Sequence, residues 1–169
     1  MALAVMVGFA LAQTFAPVQK TALSASAQKD LTSSKARYES QTDPVERAKA
    51  LAKLGRAEIR AAREAADAGS LDAALQYLKD YSDQANAAHD ALAKTRVNAE
   101  KHSGGFRQLQ ISVRESARAV RELAGQVPFA QRQPFDALQQ NLEALDHRLI
   151  LELFPRRPGH ELEKEERQR

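Results

Sequence analysis

The chain has 169 residues, no Cys and no Trp, and its 25 basic and 22 acidic side chains give a formal net charge of +3. This length suits one domain with flexible ends, and the absence of Cys excludes disulfides, thiolate zinc sites and thiol nucleophiles. Aromatic residues make up only 5% of the chain, and strong helix formers such as Ala, Leu, Glu and Arg dominate it. Because strand-like alternation is not seen, we predict an all-α fold.

An apolar run from Ala2 to Ala12 opens the chain, and its last three residues fit the small-x-small pattern of a signal peptidase site. A second candidate site is Ala25-Ser26-Ala27. The run is too short to span a bilayer as a helix. We therefore interpret residues 1–12 as a secretory signal peptide, and expect a periplasmic or secreted protein with no transmembrane span in its mature form. No Lys or Arg precedes the run, which favours a true start codon further upstream. The alternative is a disordered or membrane-touching N-terminus on a cytoplasmic protein.

Turn and capping signals divide the rest of the chain. Residues 13–42 are rich in Ser, Thr, Ala and Gln and are interpreted as a linker with a weak helix over Leu31–Gln41. A bundle domain is predicted over residues 43–154. Asp43 and Pro44 mark the start of its first helix, and Gly69 marks the end. The other predicted helices cover residues 71 to about 101, 106–124 and 134–154, and residues 155–169 are predicted as a charged, disordered tail.

Short connections predict the arrangement of these helices. Because only Gly69-Ser70 separates the first two, they must form an antiparallel hairpin, and we expect an antiparallel up-down bundle of about four long helices. Helix 71–101 is longer than helix 106–124 in this prediction, so the hairpin would project and offer a binding surface. The last helix has the clearest apolar stripe, with residues three and four apart: Phe135, Leu138, Leu142, Leu145 and Leu149.

Glu58 and His89 project from otherwise apolar helix faces. Counting residues on either side of the Gly69-Ser70 turn places Glu58 level with Tyr81. A buried unpaired charge is costly, so each polar group is expected to have a partner. We therefore predict a buried polar cluster of Glu58, Tyr81 and His89. Its simplest role is to fix the register between helices, and its alternative role is to form a polar pocket for a small ligand or metal.

Motifs for catalysis are missing from the sequence, including the Gly-x-Ser-x-Gly elbow and the phosphate-binding loop. Glu143 and His147 lie four residues apart, but the second histidine and further acids of a four-helix metal site do not accompany them. We predict a non-enzymatic protein with no catalytic residue, no metal ligand and no cofactor.

Two helix faces are rich in basic residues and form a possible surface for an anionic partner. They contain Arg107, Arg114, Arg118 and Arg121 on the third predicted helix, and Lys49, Lys53, Arg56, Arg60 and Arg63 on the first. Such faces attract lipid headgroups, cell-wall polymers or acidic proteins, or are simply solvated. Aromatic side chains for base stacking are missing from both, so nucleic acid is not the expected ligand.

The segment from Gly69 to Leu78 resembles the turn and second helix of a tetratricopeptide repeat, with Gly69, Ala74 and Leu78 at its small and bulky positions. A second copy at a period of about 34 residues is not visible, so the resemblance covers one hairpin. The composition of the whole chain is similar to that of periplasmic holdase chaperones, which are also exported, basic and helical.

These observations predict an exported helical bundle that binds a protein or envelope component through a helix face. One alternative is a chaperone-like or polyanion-binding protein that uses the arginine-rich faces. The other is a small-ligand or metal carrier with a polar pocket inside the bundle. A homo-oligomer is compatible with each.

Overall fold

The computed structural model describes residues 23–155, which form five α-helices joined by short connections and contain no β-strand. The helices are α1 (Ala25–Glu39), α2 (Pro44–Asp67), α3 (Leu71–Lys94), α4 (Gly104–Gln126) and α5 (Gln133–Leu153), and one 3-10 turn (Phe129–Gln131) joins α4 to α5. The predicted all-α bundle is confirmed. The predicted signal peptide and most of the predicted tail lie outside the described residues.

The first helix, α1, covers Ala25–Glu39, where the sequence predicted a linker followed by a weak helix over Leu31–Gln41; residues 13–22 of that segment lie outside the described range. It is a full helix that begins at Ala25, and it raises the number of helices in the described chain from the expected four to five. Its inner face packs on α2 and buries Ala27, Ser34 and Tyr38. The backbone N–H and hydroxyl of Ser24 donate to the Glu64 carboxylate at 2.9 and 3.0 Å, so α1 runs antiparallel to α2.

The α2–α3 hairpin forms as predicted. The Asp43 carboxylate accepts a hydrogen bond from the backbone N–H of Glu46 at 2.8 Å and caps α2. At the turn, Gly69 has a φ of +78°, a left-handed conformation that favours glycine. Within the hairpin the helices approach closely at Gly55, where an added Cβ would lie only 2.4 Å from Cε2 of Tyr81.

The end of α3 differs from the prediction. The helix ends at Lys94 rather than near residue 101, because Arg96 adopts a left-handed conformation with a φ of +56°. Gly104 and Gly105 begin α4 instead of ending α3. A Cβ at Gly105 would lie 2.9 Å from Cδ2 of Leu92, so the glycine allows α4 to start close to α3. With 24 residues in α3 and 23 in α4, the expected projecting hairpin is absent from the described chain.

The core lies between α2, α3, α4 and α5. Helix α2 contacts α1, α3 and α4, and α5 contacts α3 and α4, so α1 covers the outer side of α2. The predicted stripe of α5 is buried along its length. Burial of each such Leu or Phe stabilises the fold by about 2 kcal/mol before conformational entropy is counted. The core also buries Phe106, Leu109, Val113, Val120 and Leu123 of α4.

Candidate functional site

Glu58 is buried between α1, α2 and α3, with 3% of its surface exposed. Its Oε1 accepts a hydrogen bond from Nε2 of Gln84 on α3 at 3.1 Å. Burial raises the pKa of Glu58 from its ordinary value of 4.5 to about 8. The hydrogen bond from Gln84 and the charge of Lys35 on α1 act in the opposite direction, while the Asp80 carboxylate adds to the rise. At neutral pH this side chain is therefore mostly protonated, which avoids an unpaired negative charge at this buried position.

Tyr81 is fully buried and joins α3 to α4. Its hydroxyl forms a hydrogen bond with the Ser112 hydroxyl at 3.0 Å, and Ser116 lies close enough to form another. Burial raises the pKa of Tyr81 to about 12, so the phenol stays neutral. This contact explains why two serines occupy the inner face of α4, where both are buried.

His89 joins α3 to α5. Its Nε2 lies 2.9 Å from Oε1 of Glu152, and its Nδ1 lies 3.6 Å from the carboxylate of the neighbouring Asp90. The side chain is 9% exposed. Eight residues of helix separate His89 from Tyr81, which corresponds to about 12 Å along the axis.

The predicted cluster of Glu58, Tyr81 and His89 is therefore not one pocket. When ionised, Glu58 adds to the rise in the pKa of Tyr81, but the hydrogen bonds of the three residues go to three different places. Each residue connects α3 to a different neighbouring helix. This geometry suits the fixing of helix register, and it does not bring the three side chains around a ligand.

The basic face of α4 is partly neutralised by α5. Arg121 forms an ion pair with Glu143, and Nε of Arg114 lies 3.6 Å from the Asp146 carboxylate. Arg107 and Arg118 are exposed and have no ion pair among residues 23–155. They lie eleven residues apart, about 16 Å along the helix, so they do not act on one small site.

The basic face of α2, which we call the α2 ridge, is arranged differently. Its members Lys49, Lys53, Arg56, Arg60 and Arg63 are all exposed. Three of them form ion pairs with neighbouring carboxylates: Lys49 with Glu46 at 2.6 Å, Arg60 with Asp30 of α1 at 2.6 Å, and Arg63 with Glu122 of α4 at 2.9 Å. In the part of the chain that the structure describes, Lys53 and Arg56 have no acidic partner.

A basic cleft of about 250 Å³ lies between α1 and α2. Arg37 from the last turn of α1 reaches this cleft and, like Lys53 and Arg56, has no ion pair within the described ranges. Among the described residues that line the cleft, Glu46 has the single carboxylate and already pairs with Lys49, so three positive charges remain available. The cleft is lined by Arg37, Gln41, Glu46, Lys49, Ala50, Lys53 and Arg56.

A second concave surface, the α2–α4 groove, lies on the other side of the ridge and has a volume of about 350 Å³. Arg56, Arg60 and Arg63 line one wall, and Glu115 on the other wall lowers the local positive charge. Ala52 and Ala119 keep the groove open, because a longer side chain on either helix would fill it. Arg56 lines both the basic cleft and this groove, so the two are adjacent at its side chain.

Between residues 23 and 155, no group of three or more His, Asp or Glu side chains is placed to hold a metal ion. No helix in this range is long and apolar enough to cross a membrane.

Comparison with known proteins gives no relative. No family model matches the chain, and neither a curated protein nor a solved structure matches it.

Several residues that contribute to these sites were not predicted from the sequence. Arg37 was missed because it lies in the segment interpreted as a linker. Gln84, Ser112 and Glu152 are polar residues at inward or half-buried helix positions, and the same periodicity that singled out Glu58 could have found Ser112.

Proposed function

We propose that the protein is a non-enzymatic helical bundle that acts outside the cytoplasm and binds an anionic component of the cell envelope at the basic cleft. The apolar run at the N-terminus supports the compartment. The observation that carries the binding function is the convergence of Arg37, Lys53 and Arg56 on one cleft without an acid of their own.

Concave surfaces lined by one sign of charge concentrate oppositely charged ligands. Here the cations come from two helices, so they surround a ligand from two sides instead of forming a flat strip. The guanidinium groups can each donate two parallel hydrogen bonds to a phosphate or carboxylate. By contrast, the two unpaired arginines of α4 are too far apart to hold the same group.

The test is co-sedimentation of the full chain with isolated cell envelopes at low and high salt. The double variant Lys53→Gln/Arg56→Gln is expected to lose most of the binding, and the wild type is expected to lose it at high salt because the attraction is screened. Arg107→Gln/Arg118→Gln is the matched control. It removes the same charge from two exposed, unpaired arginines of α4 and is expected to bind like the wild type.

Equal binding by both double variants would show that net charge alone attracts the protein. Binding that survives high salt would point to an apolar contact. Either result contradicts the proposal.

A further inference from the structure

The α2 ridge is longer than one small anion. Its five basic residues are spaced four, three, four and three residues apart. Successive charges are therefore about 4.5 or 6 Å apart along the helix axis, and the ridge spans about 21 Å. Spacing this regular presents a row of equivalent charges along one line.

Two concave surfaces flank this row, and Arg56 borders both. The basic cleft lies at the start of the ridge on the α1 side, and the α2–α4 groove continues toward its end. Because Arg56 lines both, an extended ligand could pass from one to the other beside this side chain. A small anion would occupy one of the two volumes and leave the other cations unused.

The ion pairs in the second half of the ridge do not close this path. The side chains of Arg60 and Asp30 are 51% and 49% exposed, and those of Arg63 and Glu122 are 51% and 67% exposed. Exposed pairs of this kind contribute at most about 1 kcal/mol. A ligand phosphate can therefore replace the carboxylate of Asp30 or Glu122 as the partner of the arginine. Before the ligand binds, these ion pairs keep both guanidinium groups beside the groove.

The chemistry of the cleft favours phosphate over carboxylate. Three unpaired cations from two helices converge on one volume, and a phosphate has enough oxygens to accept from all of them. Among the described residues, the lining of both surfaces contains no aromatic side chain on which a base could stack. The concave shape admits a chain but not the plane of a bilayer.

From these observations we infer that the ligand is a linear, phosphate-bearing polymer without nucleobases, which lies along the α2 ridge and bridges the basic cleft and the α2–α4 groove. This inference rests on the proposed function, since it names the ligand class of the same site. It also assigns Arg60 and Arg63 to the site, at the end that a short anion does not reach.

The experiment measures binding of the full chain to inorganic phosphate, tripolyphosphate and long-chain polyphosphate by calorimetry at several salt concentrations. The long chain is expected to bind at least tenfold more tightly than tripolyphosphate. Phosphate contacts with five cations predict a slope of about −3.5 for log K against log salt. These are the three unpaired cations of the basic cleft, Arg37, Lys53 and Arg56, together with Arg60 and Arg63. Arg60→Gln/Arg63→Gln is expected to abolish the advantage of the long chain and to reduce the slope in magnitude by about 1.4. Circular dichroism checks that this variant is folded.

Equal affinity for tripolyphosphate and the long chain would overturn the inference but would leave the proposed function standing, as would an unchanged length dependence in the Arg60→Gln/Arg63→Gln variant. Tighter binding to poly-glutamate, single-stranded DNA or phosphatidylglycerol vesicles would assign the ridge to another ligand class and overturn it as well. Failure of the proposed function is separate, because it appears as envelope binding that is insensitive to Lys53→Gln/Arg56→Gln.

Discussion

The buried carboxyl of Glu58 makes the stability of the bundle depend on pH. Its pKa is about 8 in the folded protein, against an ordinary value of 4.5 that applies when the chain is unfolded. Well below pH 4.5 Glu58 is protonated in both states, and its contribution to stability is complete. Between the two values the unfolded chain has released the proton while the folded protein keeps it, so the free energy of unfolding falls as the pH rises.

The size of this effect follows from the two pKa values. The free energy of unfolding is expected to fall by about 1.4 kcal/mol per pH unit between them. The total loss above pH 8 is about 5 kcal/mol, a large part of the stability of a typical domain. Glu58→Gln removes the ionisation and keeps an oxygen that can accept from Gln84. We expect this variant to exceed the wild type in stability by several kcal/mol above pH 8, and to resemble it near pH 4.5.

The assay is urea denaturation followed by the helical circular dichroism signal over a pH series. Glu39→Gln is the control, because it removes a carboxylate of the same type from an exposed position at the end of α1. It is expected to change stability by less than about 0.5 kcal/mol. If the wild type and Glu58→Gln gave parallel curves of stability against pH, the reasoning from burial would be refuted.

Packing predictions use the same denaturation assay. Gly55→Ala adds a methyl 2.4 Å from Cε2 of the fully buried Tyr81, and is expected to cost about 1–3 kcal/mol; Gly125→Ala, which meets no atom within 4 Å, should instead stabilise the helix by about 0.5–1 kcal/mol. Leu142→Ala, in the centre of the core, is expected to cost about 2–5 kcal/mol, whereas Leu151→Ala, at a side chain that is 45% exposed, should cost less than half as much. Equal costs within either pair would contradict the packing described above.

The long helices could be predicted from the sequence because large apolar residues recur along them at helical spacing. Helix α1 could not, because its inward positions include Ala27 and Ser34, which leave little apolar contrast. Its attachment depends on polar contacts with α2, such as those of Ser24 with Glu64. Contacts between side chains forty residues apart leave no local pattern in the sequence.

The end of α3 shows a second limit. Helix ends are predicted from Gly or Asn at the left-handed position that follows the last turn. Here that position is held by Arg96, and the nearby pair Gly104-Gly105 gave a misleading stop signal. Gly105 instead allows close packing against Leu92, a requirement that arises only when the helices are assembled.

The candidate site was predictable to different degrees. Periodicity identified Glu58 and His89 as inward-facing, and the hairpin register placed Glu58 near Tyr81. The sequence pattern could not identify Ser112 as the partner of Tyr81 or Glu152 as the partner of His89. The rotation of α4 and α5 about their axes, which brings these side chains together, is set by the whole core. The basic cleft needs Arg37 from α1, so it could not be foreseen while α1 was taken for a linker.

The two ends of the described chain leave the bundle at opposite ends. Ser24 is bonded to Glu64 near the α2–α3 turn, whereas Pro155 borders the same recess as Phe106, where α4 begins. The 24 residues of α2 put about 36 Å between these two places. A mechanical force that pulled the ends apart would act along the helix axes, so α1 would have to slide over α2, and α5 over α4. All contacts of each pair would resist together, whereas a bundle with both ends on one side would peel apart one turn at a time.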